Sequence, residues 1–145
     1  MKTKIITLLF LIALLLNSCI SLQLVPSYSE TIEKQIIETQ KLNEKMYTEI
    51  LALPESKRNY ENFEKQYIEI ESNINSLFFQ INNREQNSDF VVMMSELKTN
   101  FIQYKEEHKS KGTLKDGEIN IYIKYINDFY KPILISEKAL KTVKK

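Results

Sequence analysis

"YENFEKQYIEIESNINSLFFQI", residues 60–81, decides the fold. Tyr60, Phe63, Tyr67, Ile70, Ile74, Leu77 and Ile81 recur at alternating steps of three and four. That period keeps one apolar stripe on one side of an α-helix for about six turns, where a strand would alternate by two. Such a stripe is stable only against partner helices, so the rest of the chain has to supply them.

The same steps return at Met94, Leu97, Phe101, Tyr104 and His108. Continuing the first stripe would instead place apolar residues at positions 84, 88, 91, 95 and 98, where Arg84, Ser88, Ser95 and Lys98 are polar. The two stripes therefore belong to separate helices. A turn is predicted in "NNREQNSD", residues 82–89, with Ser88 or Asn87 capping the next helix. Gly112 suits a left-handed stop for that helix.

Upstream, a helix is predicted from Ser27 or Ser29, since Ser27 and Glu30 have capping-box spacing. Ile32, Ile36, Leu42, Met46, Ile50 and Leu53 give it an apolar side, and Pro54 ends it. Downstream, "GTLKDGE" reads as a connection with a turn at Asp116-Gly117. The following "INIYIKYI" alternates like a strand. Over a longer window Ile119, Tyr122, Ile126, Phe129, Ile133, Leu140 and Val143 fit a helix interrupted at Ser136, and a lone strand would have no pairing partner. The reading is a helix with a bend near Pro132. With two glycines and three prolines in 145 residues, the expected class is all-α. The expected architecture is an elongated antiparallel bundle of about four amphipathic helices, or a coiled-coil-like pair of hairpins.

The N-terminal stretch has a different character. Lys2 and Lys4 precede an apolar run from Ile5 to Leu16, and polar residues follow before Cys19, the one cysteine of the chain. Twelve helical residues reach about 18 Å, short of a bilayer core of roughly 30 Å, so the run reads as a secretory signal rather than a span. Leu16-Asn17-Ser18-Cys19 resembles a bacterial lipobox, in the looser form of spirochaete lipoproteins, with Asn17 where a small residue is usual. The resemblance implies a diacylglycerol on the Cys19 thiol and removal of residues 1–18. Residues 19–26 would then be the lipidated cysteine and a short tether, and 27–145 the helical domain. An uncleaved anchor extended through Leu22, Leu24 and Val25 is opposed by Asn17, Ser18, Ser21 and Gln23, whose polar groups need partners in hydrocarbon.

Cleavage before Cys19 leaves 127 residues with 18 basic and 19 acidic side chains, net −1. That balance argues against nucleic acid as a partner. Residues 30–71 carry ten acids and six bases, whereas residues 98–145 carry eleven bases and six acids. Acidic and basic helices lying side by side account for this asymmetry, and a basic surface for an anionic partner is the other reading.

Few parts for catalysis are present. His108 is the sole histidine, and acylation consumes the thiol, so Cys-based catalysis and Cys metal sites are excluded in the mature chain. His108 lies near a helix C-terminus, where a protonated ring is favourable, and a structural role is expected. Glu69 with Glu71 and Glu106 with Glu107 point in different directions on a helix. Glu30 with Glu33 and Glu61 with Glu64 share faces, which read as solvated. No phosphate loop, cofactor motif or metal set is visible. Aromatic side chains spread around more than one side of their helices at Phe79, Tyr125 and Tyr130. They either pack on a third helix or form, with Lys124 and Lys131, a partner-binding patch.

The expected function is that of a lipid-anchored, non-enzymatic binding or scaffold module of the cell envelope. Ile20 rather than Asp follows Cys19, which the lipoprotein resemblance associates with the outer membrane. Surface and periplasmic faces both remain open. The expected partners are the membrane, through the lipid, and a protein, with self-association along the Tyr60–Ile81 stripe a further option. "MMSELKTNFIQYKEEHKSKGTLKDGE", residues 93–118, is similar in outline to small periplasmic lysozyme inhibitors but lacks their cysteines and tryptophan. That likeness implies an alternative, an inhibitor or accessory factor of an envelope enzyme.

Overall fold

Every residue of the Tyr60–Ile81 stripe is buried in the computed structural model, which describes residues 25–143. The stripe begins in a single 3-10 turn, Tyr60–Asn62, and continues through a helix, Glu64–Asn82. In chain order the helices are α1 (Glu30–Ala52), α2 (Glu64–Asn82), α3 (Ser88–Lys111) and α4 (Asp116–Ala139). Further 3-10 turns lie at Glu55–Lys57 and Leu140–Thr142, and there is no strand among the described residues. Helix α1 packs on α2 and α4, and α3 packs on the same two. Neighbours in sequence are thus neighbours in space, and the last helix closes on the first. The protein is an all-α, up-and-down antiparallel bundle.

Local signals set the boundaries. Ser29 caps α1, its hydroxyl accepting from the Ile32 N–H at 3.3 Å, while Leu53 and Pro54 end the helix. Asn87 precedes α3 without capping it by side chain; its amide instead donates back to the Ile81 carbonyl and closes the turn after α2. Gly112 ends α3 at φ +75°, its N–H reaching the His108 carbonyl at 2.9 Å. Asp116 and Gly117 are not a turn, however. They form the first turn of α4, because the Glu118 carboxylate accepts from the Lys115 N–H at 2.9 Å and closes the helix start ahead of them. Pro132 lies within α4 on its exposed side and does not end it.

Two stripes differ from their sequence reading. In α1 the core line runs through Ile32, Ile36, Thr39, Asn43, Met46, Tyr47 and Ile50, with Leu42 and Leu53 only half-buried. In α4 Tyr130 is fully buried while Phe129 is half-buried, and Glu137 rather than Ser136 faces inward. Val143 is exposed. Ile32, Ile36, Met46 and Ile50 of the α1 stripe and Ile119, Tyr122, Ile126, Ile133 and Leu140 of the α4 stripe are in the core as expected, and the seam departs from the reading by one position only locally, at Asn43 beside Leu42 and Tyr130 beside Phe129. The Tyr60–Ile81 stripe is part of the core of the single chain.

Part of the charge asymmetry is met between adjacent elements. Lys105 of α3 meets Glu71 of α2 at 2.8 Å, and Lys141 meets Glu33 of α1 at 2.7 Å. Among the described residues no helix is long and apolar enough to cross a membrane. Cys19 and the boundary at residue 18 lie outside the described residues. The packed fold already includes Pro26, which is buried, and Ser27, whose carbonyl accepts from Arg84.

Candidate functional site

The antiparallel course gives the bundle two dissimilar ends. At the distal end, holding the α1–α2 and α3–α4 connections, Arg58 is the organising side chain. Its Nε donates to the Leu53 carbonyl at 2.7 Å and Nη2 to the Leu51 carbonyl at 3.1 Å. Its Nη1 reaches the Leu114 carbonyl at 3.3 Å and Asp116 at 2.5 Å. Asp116 is largely solvated, so the carbonyls that Arg58 satisfies at the end of α1 matter more than the ion pair.

Directly beneath lies a buried polar chain. His108 Nε2 is 2.7 Å from the Arg58 carbonyl, an obligate acceptor, so this nitrogen carries the proton. Nδ1 is then an acceptor and takes the Tyr67 hydroxyl at 3.0 Å, leaving Tyr67 to accept from Tyr47 at 3.4 Å. Tyr60 stacks on Tyr67 with ring centroids 5.4 Å apart, and Tyr104 stacks on Tyr122 at 4.4 Å. Burial lowers the His108 pKa, opposed by the bond to Arg58 and by the charges of Glu61 and Glu118. The ring is therefore held neutral. Both ring nitrogens satisfy buried groups, so the ring does not meet the helix end as the cation that the sequence suggested. Burial likewise raises the pKa of Tyr47 and Tyr67, so both remain donors.

This chain is fully enclosed and every member's hydrogen bonds are spent internally. It has the composition of a proton relay, but both ends finish on protein groups. The carboxylates are dispersed in the same way. Glu107 accepts from Tyr122 at 2.5 Å and from Gln103 at 3.1 Å, and hydrogen bonding to Tyr122 lowers its pKa. Glu33 joins Tyr28 and Lys141, and Glu30 pairs with Lys34. No group of three or more metal-ligating side chains is assembled among the described residues.

At the terminal end, where residue 25 enters and residue 143 leaves, Arg84 plays the corresponding part. Its Nη1 meets Glu137 at 2.7 Å, its Nη2 donates to the Ser27 carbonyl, and its guanidinium lies 5.3 Å from the centroid of the Phe90 ring. The second Glu137 oxygen accepts from the Ser29 N–H at 2.7 Å. Beside this knot an open groove of about 610 Å³ runs between the start of α1 and the end of α2, lined by Tyr28, Ile32, Phe79, Gln80 and Asn83 among others.

The proposed aromatic patch is not one surface. Tyr130 is in the core, packed between α1 and α4, and takes no part in any exterior face. Phe79 and Tyr125 are exposed, but they stand on α2 and α4, which lie diagonally across the bundle. Lys124 and Lys131 are exposed on α4 with Tyr125. What sequence reasoning missed is a buried polar pair. Asn43 of α1 faces Tyr130 of α4, near enough for the amide to act on the phenol, yet neither the Asn43 amide nor the Tyr130 hydroxyl completes a hydrogen bond. The signal was available in the step of four and three from Thr39 through Asn43 to Met46. No protein-family model, curated protein or solved structure matches the chain.

Proposed function

We propose that the protein is a lipid-anchored helical module of the bacterial cell envelope, held by an acylated Cys19 and acting by binding or scaffolding rather than by catalysis. The observation that carries this reading is Leu16-Asn17-Ser18-Cys19 at the end of an apolar run too short to span a bilayer. The position of the fold supports it. Pro26, seven residues after Cys19 in sequence, is already buried in the bundle, so an acylated Cys19 would tether the fold through a short segment. The state of His108, buried and bonded through both ring nitrogens, supports a structural rather than catalytic histidine. Ile20 favours the outer membrane.

Mass spectrometry of the membrane-bound protein, with protease shaving of intact cells on the same sample, tests the reading. The expected result is a diacylglyceryl-modified Cys19 as the first residue, and release of a Cys19→Ala variant from the membrane fraction. An unmodified chain that retains Met1 overturns it. Rapid loss to protease would direct work to external ligands. Protection would direct it to envelope enzymes, starting with a direct assay of lysozyme inhibition.

A further inference from the structure

The exposed apolar side chains gather unevenly around the bundle. Phe79 on α2, Val92 on α3, Ile135 on α4 and Val143 beyond it are 68%, 58%, 56% and 51% exposed. Phe79 is three residues from the end of α2, Val92 four from the start of α3, and Ile135 four from the end of α4. At about 1.5 Å of rise per residue, these three lie within about 6 Å of one plane, the terminal end of the bundle. Three different helices thus each present a large apolar group outward at the same height. Such groups scattered singly would need no explanation, whereas a rim at one level of one end does.

The chain itself says what this end faces. Val25 is six residues beyond Cys19, and an extended residue spans at most about 3.3–3.6 Å, so an acylated Cys19 holds the terminal end within about 20 Å of the lipid surface. The distal end is a full helix away, about 35 Å for the 23 residues of α1. We propose that the terminal end rests on the bilayer, with Phe79, Val92, Ile135 and Val143 seated at the headgroup boundary and the helices standing away from the membrane. This rests on the acylation of Cys19 argued above. Interfacial seating buries apolar groups about 5–10 Å deep, which matches the height of the rim. The polar α2–α3 turn, with Asn82, Asn83, Glu85 and Gln86 exposed and Asp89 following on α3, meets the headgroups. A diacylglyceryl group carries two acyl chains and anchors the protein by itself, so the rim's part is to orient the bundle on the bilayer rather than to hold it there. Of the other large exposed apolar groups, Val25 lies at the terminal end where the chain enters, and Ile68, Ile121 and Tyr125 lie on the outward half, where Lys124 stands beside Tyr125.

Acylation occupies the one native thiol, so a cysteine introduced elsewhere is uniquely reactive. The full chain is made as Phe79→Cys, Val92→Cys, Ile135→Cys and Ile121→Cys, its acyl group verified by mass. Each is labelled with an environment-sensitive fluorophore and placed in phosphatidylcholine vesicles with and without nitroxide-bearing lipid. The expected result is that positions 79, 92 and 135 lose most of their emission to the lipid-borne quencher while position 121 keeps its own. If an acylated chain shows no more quenching at 79, 92 and 135 than at 121, the tether holds the bundle off the bilayer and the seating is wrong although the anchor stands. Equal strong quenching at 121 means a bundle lying on its side, which also overturns it. Emission at 79, 92 and 135 that is insensitive to the quencher but changes with protein concentration would assign the rim to a second copy. A chain without the acyl group removes both this inference and the reading beneath it.

Discussion

Two buried tyrosines show how much a single hydroxyl depends on its surroundings. Tyr67 donates to His108 and accepts from Tyr47, whereas Tyr130 is equally buried and completes no hydrogen bond. Removing a partnered buried hydroxyl strands its partner, while removing an unpartnered one relieves a desolvation cost. Tyr67→Phe is expected to lower stability by about 1–2 kcal/mol, and Tyr130→Phe to raise it by about 1 kcal/mol, both read by urea denaturation. His108 adds a pH dependence. Its pKa is lowered in the fold, so the unfolded chain binds the proton first as pH falls. Stability is full above the ordinary histidine value of about 6.5 and falls as pH drops below it, levelling off once the folded ring is itself protonated. Denaturation midpoints between pH 7 and 5 should therefore decline for the native chain, and the decline should flatten in His108→Gln, which removes the titrating group. The burial of His108 was legible from its place in the α3 stripe. Its neutrality was not, because that depends on the Arg58 carbonyl, fifty residues away.

At the level of the helix, the two glycines make opposite predictions from the same residue type. Gly112 stops α3 at φ +75°, a conformation that an L side chain enters only at a cost of about 1–2 kcal/mol. Gly117 sits in the first turn of α4 with open space around the position of a Cβ. Gly112→Ala should lower the thermal midpoint, and Gly117→Ala should stabilise by about 0.5–1 kcal/mol. Calorimetry on the pair distinguishes a stop from a helix interior. If both variants shift the midpoint the same way, the assignment of Asp116-Gly117 to α4 is wrong. The helices themselves were readable because their ends carry chemistry in sequence: Ser29, Pro54 and Gly112 each mark a boundary that the structure keeps. Asp116-Gly117 was misread because the same dipeptide serves a turn or a helix start, and Glu118 decides between them through one hydrogen bond. The seam of α1 was lost at Thr39 and Asn43 for a different reason. Apolar periodicity has no means of recording a polar residue that faces inward.

For the whole molecule, the Arg84–Glu137 pair decides whether the terminal end is held shut. Glu137 is completely buried, with one oxygen on Arg84 and the other on the Ser29 N–H. Arg84 continues to the Ser27 carbonyl and to Phe90. Four parts of the chain therefore converge on two side chains: the entering segment, the start of α1, the turn from α2 into α3, and the end of α4. Sequence alone offers no reason to pair residues 84 and 137, since only the packing of the bundle brings the α2–α3 turn to the end of α4. Arg84→Met leaves a carboxylate buried beside an apolar neighbour, and breaking such a pair costs about 3–5 kcal/mol. Replacing both residues, Arg84→Met with Glu137→Leu, removes the stranded charge and should restore most of that loss. A double-mutant cycle by urea denaturation checks this, and additive losses in the double variant would show that the two residues act independently. The same two side chains tie the start of α1 to the end of α4. Amide exchange should then report the first turn of α1 and the last turn of α4 opening together in Arg84→Met, ahead of α2 and α3 at the distal end.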